Sequence, residues 1–133
     1  MSYCNTEFIT CSPTLVIDAN GEAGEKLANK LKLSGLMADI AISCAAAITA
    51  LRACYYGSMV FVGDVSHAAD LYCIVELRKT MPRTWIVMIS STAPSDMREL
   101  YSRYGIDAVL VTPTSTNNLV SRLFAFSRHS RPT

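Results

Sequence analysis

Met59-Val60-Phe61-Val62 is a short apolar run that stops at a glycine and a carboxylate, Gly63-Asp64. A run of this length, bounded by turn residues, suits a strand covered on both faces. Four more stretches share the form: Thr14 to Ile17 before Asp18-Ala19-Asn20-Gly21, Leu36 to Ile42, Trp85 to Ile89 before Ser90-Ser91-Thr92, and Asp107 to Val111 before Thr112-Pro113. Between them, apolar residues recur at helical spacing. Strict alternation of strand and helix with short connections predicts an α/β protein with a parallel, doubly wound five-stranded sheet and right-handed crossovers. The common small version has strand order 2-1-3-4-5, with its crevice at the first and third strands. Those strands end in Asp18 and Asp64.

The helical segments carry their own start and stop signals. Residues 22–33 place Ala23, Leu27, Ala28 and Leu31 on one face and close at Ser34-Gly35. Ser43 can cap a second helix over 44–56, which Gly57 ends. A third, over 68–80, turns Leu71, Ile74, Val75 and Leu77 inward and Glu76, Arg78 and Lys79 outward. Pro94-Ser95-Asp96 opens a fourth over about 95–104, stopped by Gly105. The fifth, 116–126, has Leu119, Val120, Leu123 and Phe126 as its stripe.

A chain of 133 residues, half of them hydrophobic, is enough for one domain with a real core. The domain is expected over 14–127, after an N-terminal arm (1–13) and before a polar tail or linker start (128–133). Twelve basic and eleven acidic residues leave a net charge of +1, which gives no support to a nucleic-acid or anionic-membrane partner. The five cysteines, 4, 11, 44, 54 and 73, have no CxxC spacing and are expected to be reduced thiols of a cytoplasmic protein. His67 and His129 have no acid or cysteine at zinc-ligand spacing. There is no signal-peptide pattern and no run approaching the ~20 apolar residues of a membrane span.

The sequence resembles the receiver domain of two-component response regulators. The resemblance rests on Val-Ile-Asp at 16–18, Val-Phe-Val-Gly-Asp at 60–64, Val-Met-Ile-Ser-Ser at 87–91 and Gly-Ile-Asp-Ala-Val-Leu-Val-Thr-Pro at 105–113. It implies the flavodoxin-like, CheY-like (βα)5 fold. It implies that Asp64 is a phosphoacceptor, a carboxylate nucleophile toward a phosphohistidine. Asp18 and Asp64 would be Mg²⁺ ligands, and Ser90 would hydrogen-bond the phosphoryl group. Three positions depart from the pattern. Ala19 stands where a second metal carboxylate belongs, Thr112 where a charge-neutralising lysine precedes the proline, and Val109 where a switch aromatic would sit. Losing the acid weakens Mg²⁺ capture, and losing the lysine removes a charge opposite the phosphate.

The resulting expectation is an atypical receiver in a phosphorelay, not an enzyme, with weak or absent phosphorylation at Asp64. It would act through a protein partner: a histidine kinase, a phosphotransfer protein or an effector. A homodimer through the fourth helix, fifth strand and fifth helix is the companion expectation. Mg²⁺ is the one cofactor in view, and it is doubtful. The alternative is a small-ligand or flavin-binding protein on the same fold, although Asp18-Ala19-Asn20-Gly21 is a poor phosphate cradle. A hydrolase lacks the GxSxG elbow.

Overall fold

The computed structural model describes residues 12–129 and 131–132. The elements run β1 (Thr14–Ile17), α1 (Glu22–Leu33), β2 (Ala38–Ala41), α2 (Cys44–Ala53), β3 (Ser58–Gly63), α3 (Ala68–Thr80), β4 (Trp85–Ser90), α4 (Met97–Glu99), β5 (Ala108–Val111) and α5 (Thr116–Ser127). All strand pairs are parallel, and the order is β2-β1-β3-β4-β5, as the alternation predicts. The expected arm lies outside the described residues except for Ser12 and Pro13.

Successive strand residues point to opposite faces, so each apolar run fills two cores. Leu15, Ile17, Met59, Phe61, Ile86 and Met88 pack with Ala47 and Leu51 of α2 and Cys73, Ile74 and Leu77 of α3. Val16, Val60, Val87, Ile89 and Leu110 pack with Ala28 and Leu31 of α1 and Leu119 and Leu123 of α5. Burial on both sides is why these strands read as continuous runs.

The departures from expectation have local causes. Helix α1 buries Gly24, Ala28 and Leu31 and exposes Ala23. The side chain of Asp18 lies under the first turn, and a Cβ at Gly24 would stand 2.6 Å from its Cβ. Strand β2 is shorter than 36–42 and pairs only with β1, and its Ile40 and the following Ile42 are exposed. Helix α2 stops at Ala53, because Cys54 turns to an extended conformation and Tyr56 is drawn inward, its hydroxyl donating to Asp39 at 2.6 Å. Cys54 is disulfide-bonded, against the reduced state expected of it, while Cys44 and Cys73 are free thiols.

The fourth helix is the largest revision. Asp96 caps it, accepting from the amides of Arg98 and Glu99, but only Met97–Glu99 is α-helical. Leu100–Tyr104 continues as a wider π turn, closed by Gly105 in the left-handed region at φ 75°. Arg78 explains part of this shape. It was expected to point outward, but its guanidinium lies beneath Gly105 and donates to the carbonyls of Gly105, Met81, Pro82 and Thr84. Its Nη2 also meets Asp107 at 3.1 Å. The Asp107 carboxylate takes the Ile86 amide and Arg131 Nε, both at 2.9 Å, so Arg131 is held against the amino-terminal end of β5.

Candidate functional site

The carboxyl ends of β1, β3 and β4 bring together Asp18, Asp64 and Ser90. Sequence reasoning placed all three at one end of the sheet, and the register agrees: Ile17 pairs with Phe61, and Gly63 with Ser90. Their side chains, however, do different things.

Asp18 is buried, and its carboxylate faces helix α1. One oxygen accepts the amide of Asn20 at 3.0 Å and the other the amide of Gly24 at 2.8 Å. A helix start leaves unpaired amides and a partial positive charge, and a carboxylate answers both. Gly21, at φ 82°, makes the turn that brings the helix over Asp18. Asp18 is thus the internal cap of α1.

Asp64 follows β3 and remains partly exposed. Its Oδ1 accepts the Ser66 amide at 2.8 Å and the Ser66 hydroxyl at 2.7 Å. Its Oδ2 accepts the Ser91 hydroxyl at 2.5 Å and the Thr92 hydroxyl at 2.9 Å. The Ser91 hydroxyl, followed by the Ser66 hydroxyl and amide, holds this carboxyl well below the usual carboxylate range, against a smaller opposing effect of burial. The Asp64 amide donates to Asp70 at 3.0 Å, and Asp70 also approaches His67 Nδ1 at 3.4 Å. Among the described residues no ion pair includes Asp64.

Ser90 is fully buried and fully used. Its Oγ accepts the amides of Val65 and Thr92 and donates to the Thr92 carbonyl at 2.8 Å. One donor and two acceptor sites are what a hydroxyl has. The hydroxyls that reach Asp64 are its neighbours Ser91 and Thr92. Thr112 is exposed, with its amide on the Ser90 carbonyl, and the Thr112–Pro113 peptide is cis. Val109 is half-buried against the α2–α3 core.

This donor set does not fit a magnesium ion between Asp18 and Asp64. Both oxygens of Asp18 hold backbone amides, Ala19 offers no ligand, and the described residues contain no group of three His, Cys, Asp or Glu side chains able to hold a metal. Chemically, Asp64 is an anion steadied by neutral donors. Those donors satisfy its lone pairs but do not offset the charge of an incoming phosphoryl group. Ser66, Asp70, Ser91 and Thr92 are the residues that sequence reasoning did not single out. The hydroxyl run Ser90-Ser91-Thr92 was the available signal.

The architecture that carries this arrangement has close counterparts among solved structures. A Francisella response regulator 1452 receiver domain superposes with a TM-score of 0.75 at 18% identity, covering 88% of this chain and 97% of that one. The chain has the receiver-domain fold. A two-component response regulator from Clostridium difficile matches with a TM-score of 0.75 at 20% identity, over 89% of this chain and 97% of that one. A Thermotoga maritima response regulator in complex with Mg²⁺–BeF matches at 0.70 and 18%, over 86% and 98%. No protein-family model matches the sequence, and no curated protein does.

Proposed function

We propose that this receiver-fold chain is an atypical signalling module that works by binding a protein partner, with aspartyl phosphorylation at Asp64 weak or absent. The observation that carries this reading is the state of Asp64. It stands where a phosphoacceptor would stand, yet four hydrogen bonds from Ser66, Ser91 and Thr92 engage both its oxygens. A carboxylate so engaged must give up donors before it can attack, and the positions where a second metal acid and a lysine would assist carry Ala19 and Thr112. The partner classes are a histidine kinase, a phosphotransfer protein or an effector. The docking surface in this reading is the face of α4, β5 and α5, where Val111 and Tyr101 are exposed, and a homodimer could use the same face. The module is a binder and not an enzyme.

A cytoplasmic location belongs to this reading, and the Cys54 disulfide pulls against it, since cytosolic disulfides are rare. No helix among the described residues is long and apolar enough to cross a membrane. The flavin alternative is disfavoured by Asp18, whose own carboxylate fills the amide cradle a phosphate would need.

The test is incubation with acetyl phosphate and Mg²⁺ followed by intact-mass measurement. The expected result is at most a trace of the phosphoryl adduct. A stoichiometric adduct that disappears in Asp64→Ala would overturn the reading and make this an ordinary phosphoacceptor.

A further inference from the structure

At the opposite end of the sheet, where the strands begin, lies a cavity of about 240 Å³. Arg83, Arg128 and Arg131 line it together with Trp85, Phe126 and Ser58, and among the described residues no carboxylate does. We propose that this cavity binds a small organic phosphate monoester. The inference does not depend on how Asp64 behaves.

Three observations carry it. The first is unspent positive charge. Neither Arg83 nor Arg128 joins any ion pair among the described residues, and both face the same cavity. The second is an imbalance around one lining residue, Arg131. Arg78 and Arg131 share the single carboxylate of Asp107, which is itself buried, so one guanidinium charge is left over. Burial and the neighbouring Arg131 charge push the Arg78 guanidinium down to about 10, a sign that the two cations crowd one another. Arg131 is 8% exposed, with Nε on Asp107 and Nη1 on the carbonyls of Pro82 and Pro132, while its Nη2 has no acceptor among the described residues. The third is shape. Trp85 stacks on Phe126 at 4.3 Å and 2° between planes, making a flat apolar wall beside the arginines.

Helix carboxyl ends gather at this end of the sheet, and their partial negative charge attracts cations. That accounts for Arg128, at the end of α5, but not for Arg83 or Arg131, which lie outside any helix. Nor does it account for a lining without acids. A guanidinium fork matches the oxygens of a phosphate, and a dianion matches the surplus charge better than a carboxylate. The volume equals roughly eight waters at ~30 Å³ each, room for a phosphate and part of a ring.

Trp85 is the only tryptophan, so its fluorescence reports on this cavity directly. The full chain would be titrated with adenosine monophosphate, inorganic phosphate and adenosine, with two-dimensional NMR of the same samples. Expected are a saturable change with the monophosphate at a Kd below about 1 mM, weaker binding of phosphate alone, and none of adenosine. Amide shifts should centre on residues 83–85 and 126–131. The double variant Arg83→Ala, Arg128→Ala removes only exposed side chains and should weaken binding at least ~10-fold, with Arg83→Lys, Arg128→Lys in between. Absence of saturation by both readouts, or an affinity unchanged in the alanine variant, would overturn the proposal.

Discussion

The two ends of the sheet handle charge in opposite ways. At the carboxyl end, two carboxylates are each satisfied by neutral donors: Asp18 by backbone amides and Asp64 mainly by hydroxyls. At the amino end, arginines outnumber their acceptors around one buried aspartate, Asp107. The receiver fold is associated with chemistry at the carboxyl end, yet there the charges are closed off. At the other end, among the described residues, arginines face a cavity with no acid to meet them. An acid at a strand end is therefore a weak guide to reactivity until its partners are counted.

The sharpest way to break this comparison is at Asp107. Asp107→Ala would strand two buried guanidinium groups and orphan the Ile86 amide, and should cost about 3–5 kcal/mol in urea unfolding. A loss under about 1 kcal/mol would mean that the arginines relax into solvent and Arg131 is not fixed at the cavity.

A smaller effect is expected at the other end. Removing the donors with Ser91→Ala and Thr92→Ala should speed hydrogen exchange severalfold over residues 64–70 and 91–96, because Asp64 then no longer ties the two loops together. It should also raise the Asp64 titration toward its ordinary value of 3.8. The sign follows from the depression. A carboxyl lowered in the folded state contributes stability that is complete above 3.8 and is lost only as the pH falls toward the depressed value. At about pH 3 the Asp64 carboxyl should stay ionised in the native protein and be substantially protonated in the double variant. Carboxyl-carbon NMR titration of both proteins checks this, and coincident curves would contradict it.

The smallest effect is a null one. Magnesium added to about 10 mM should leave the amides of Asn20, Gly24 and Ser66 unmoved, whereas a true receiver metal site would saturate. A saturable shift at these amides would mean that Asp18 can turn away from α1, and the contrast between the two ends would soften.

The fold was legible because period and composition agreed over most of the chain. Runs such as Val60-Phe61-Val62 and Val87-Met88-Ile89 are covered on both faces, and nothing about them is ambiguous. Legibility failed where a side chain overrode the pattern. Arg78 reads as an outward cation at its helical position, yet its long stem lets the guanidinium fold back under Gly105. On α1 the expected Ala28 and Leu31 are buried, but in the first turn Gly24 takes the inward place expected of Ala23, with the Asp18 side chain against it. Ile40 and Ile42 alternate as a buried strand should, but an edge strand has cover on fewer sides. At the site, the place of Asp64 was readable and its engagement was not. Ser66, Ser91 and Thr92 are common residues at loop spacing, and only the folded geometry converges them on one carboxylate.

The Asp18 cap constrains what a single substitution can do here. An acid placed at position 19 would not by itself make a cation site, because Asp18 would still face the helix. Turning it outward would orphan the Asn20 and Gly24 amides, at about 1.5–3 kcal/mol for each charged hydrogen bond lost. A glycine at 24 can admit Asp18, but a larger residue there would have to displace it. The first turn of α1 thus couples distant choices: a cation site at this end needs both a new ligand and a change that frees Asp18 from the helix amides.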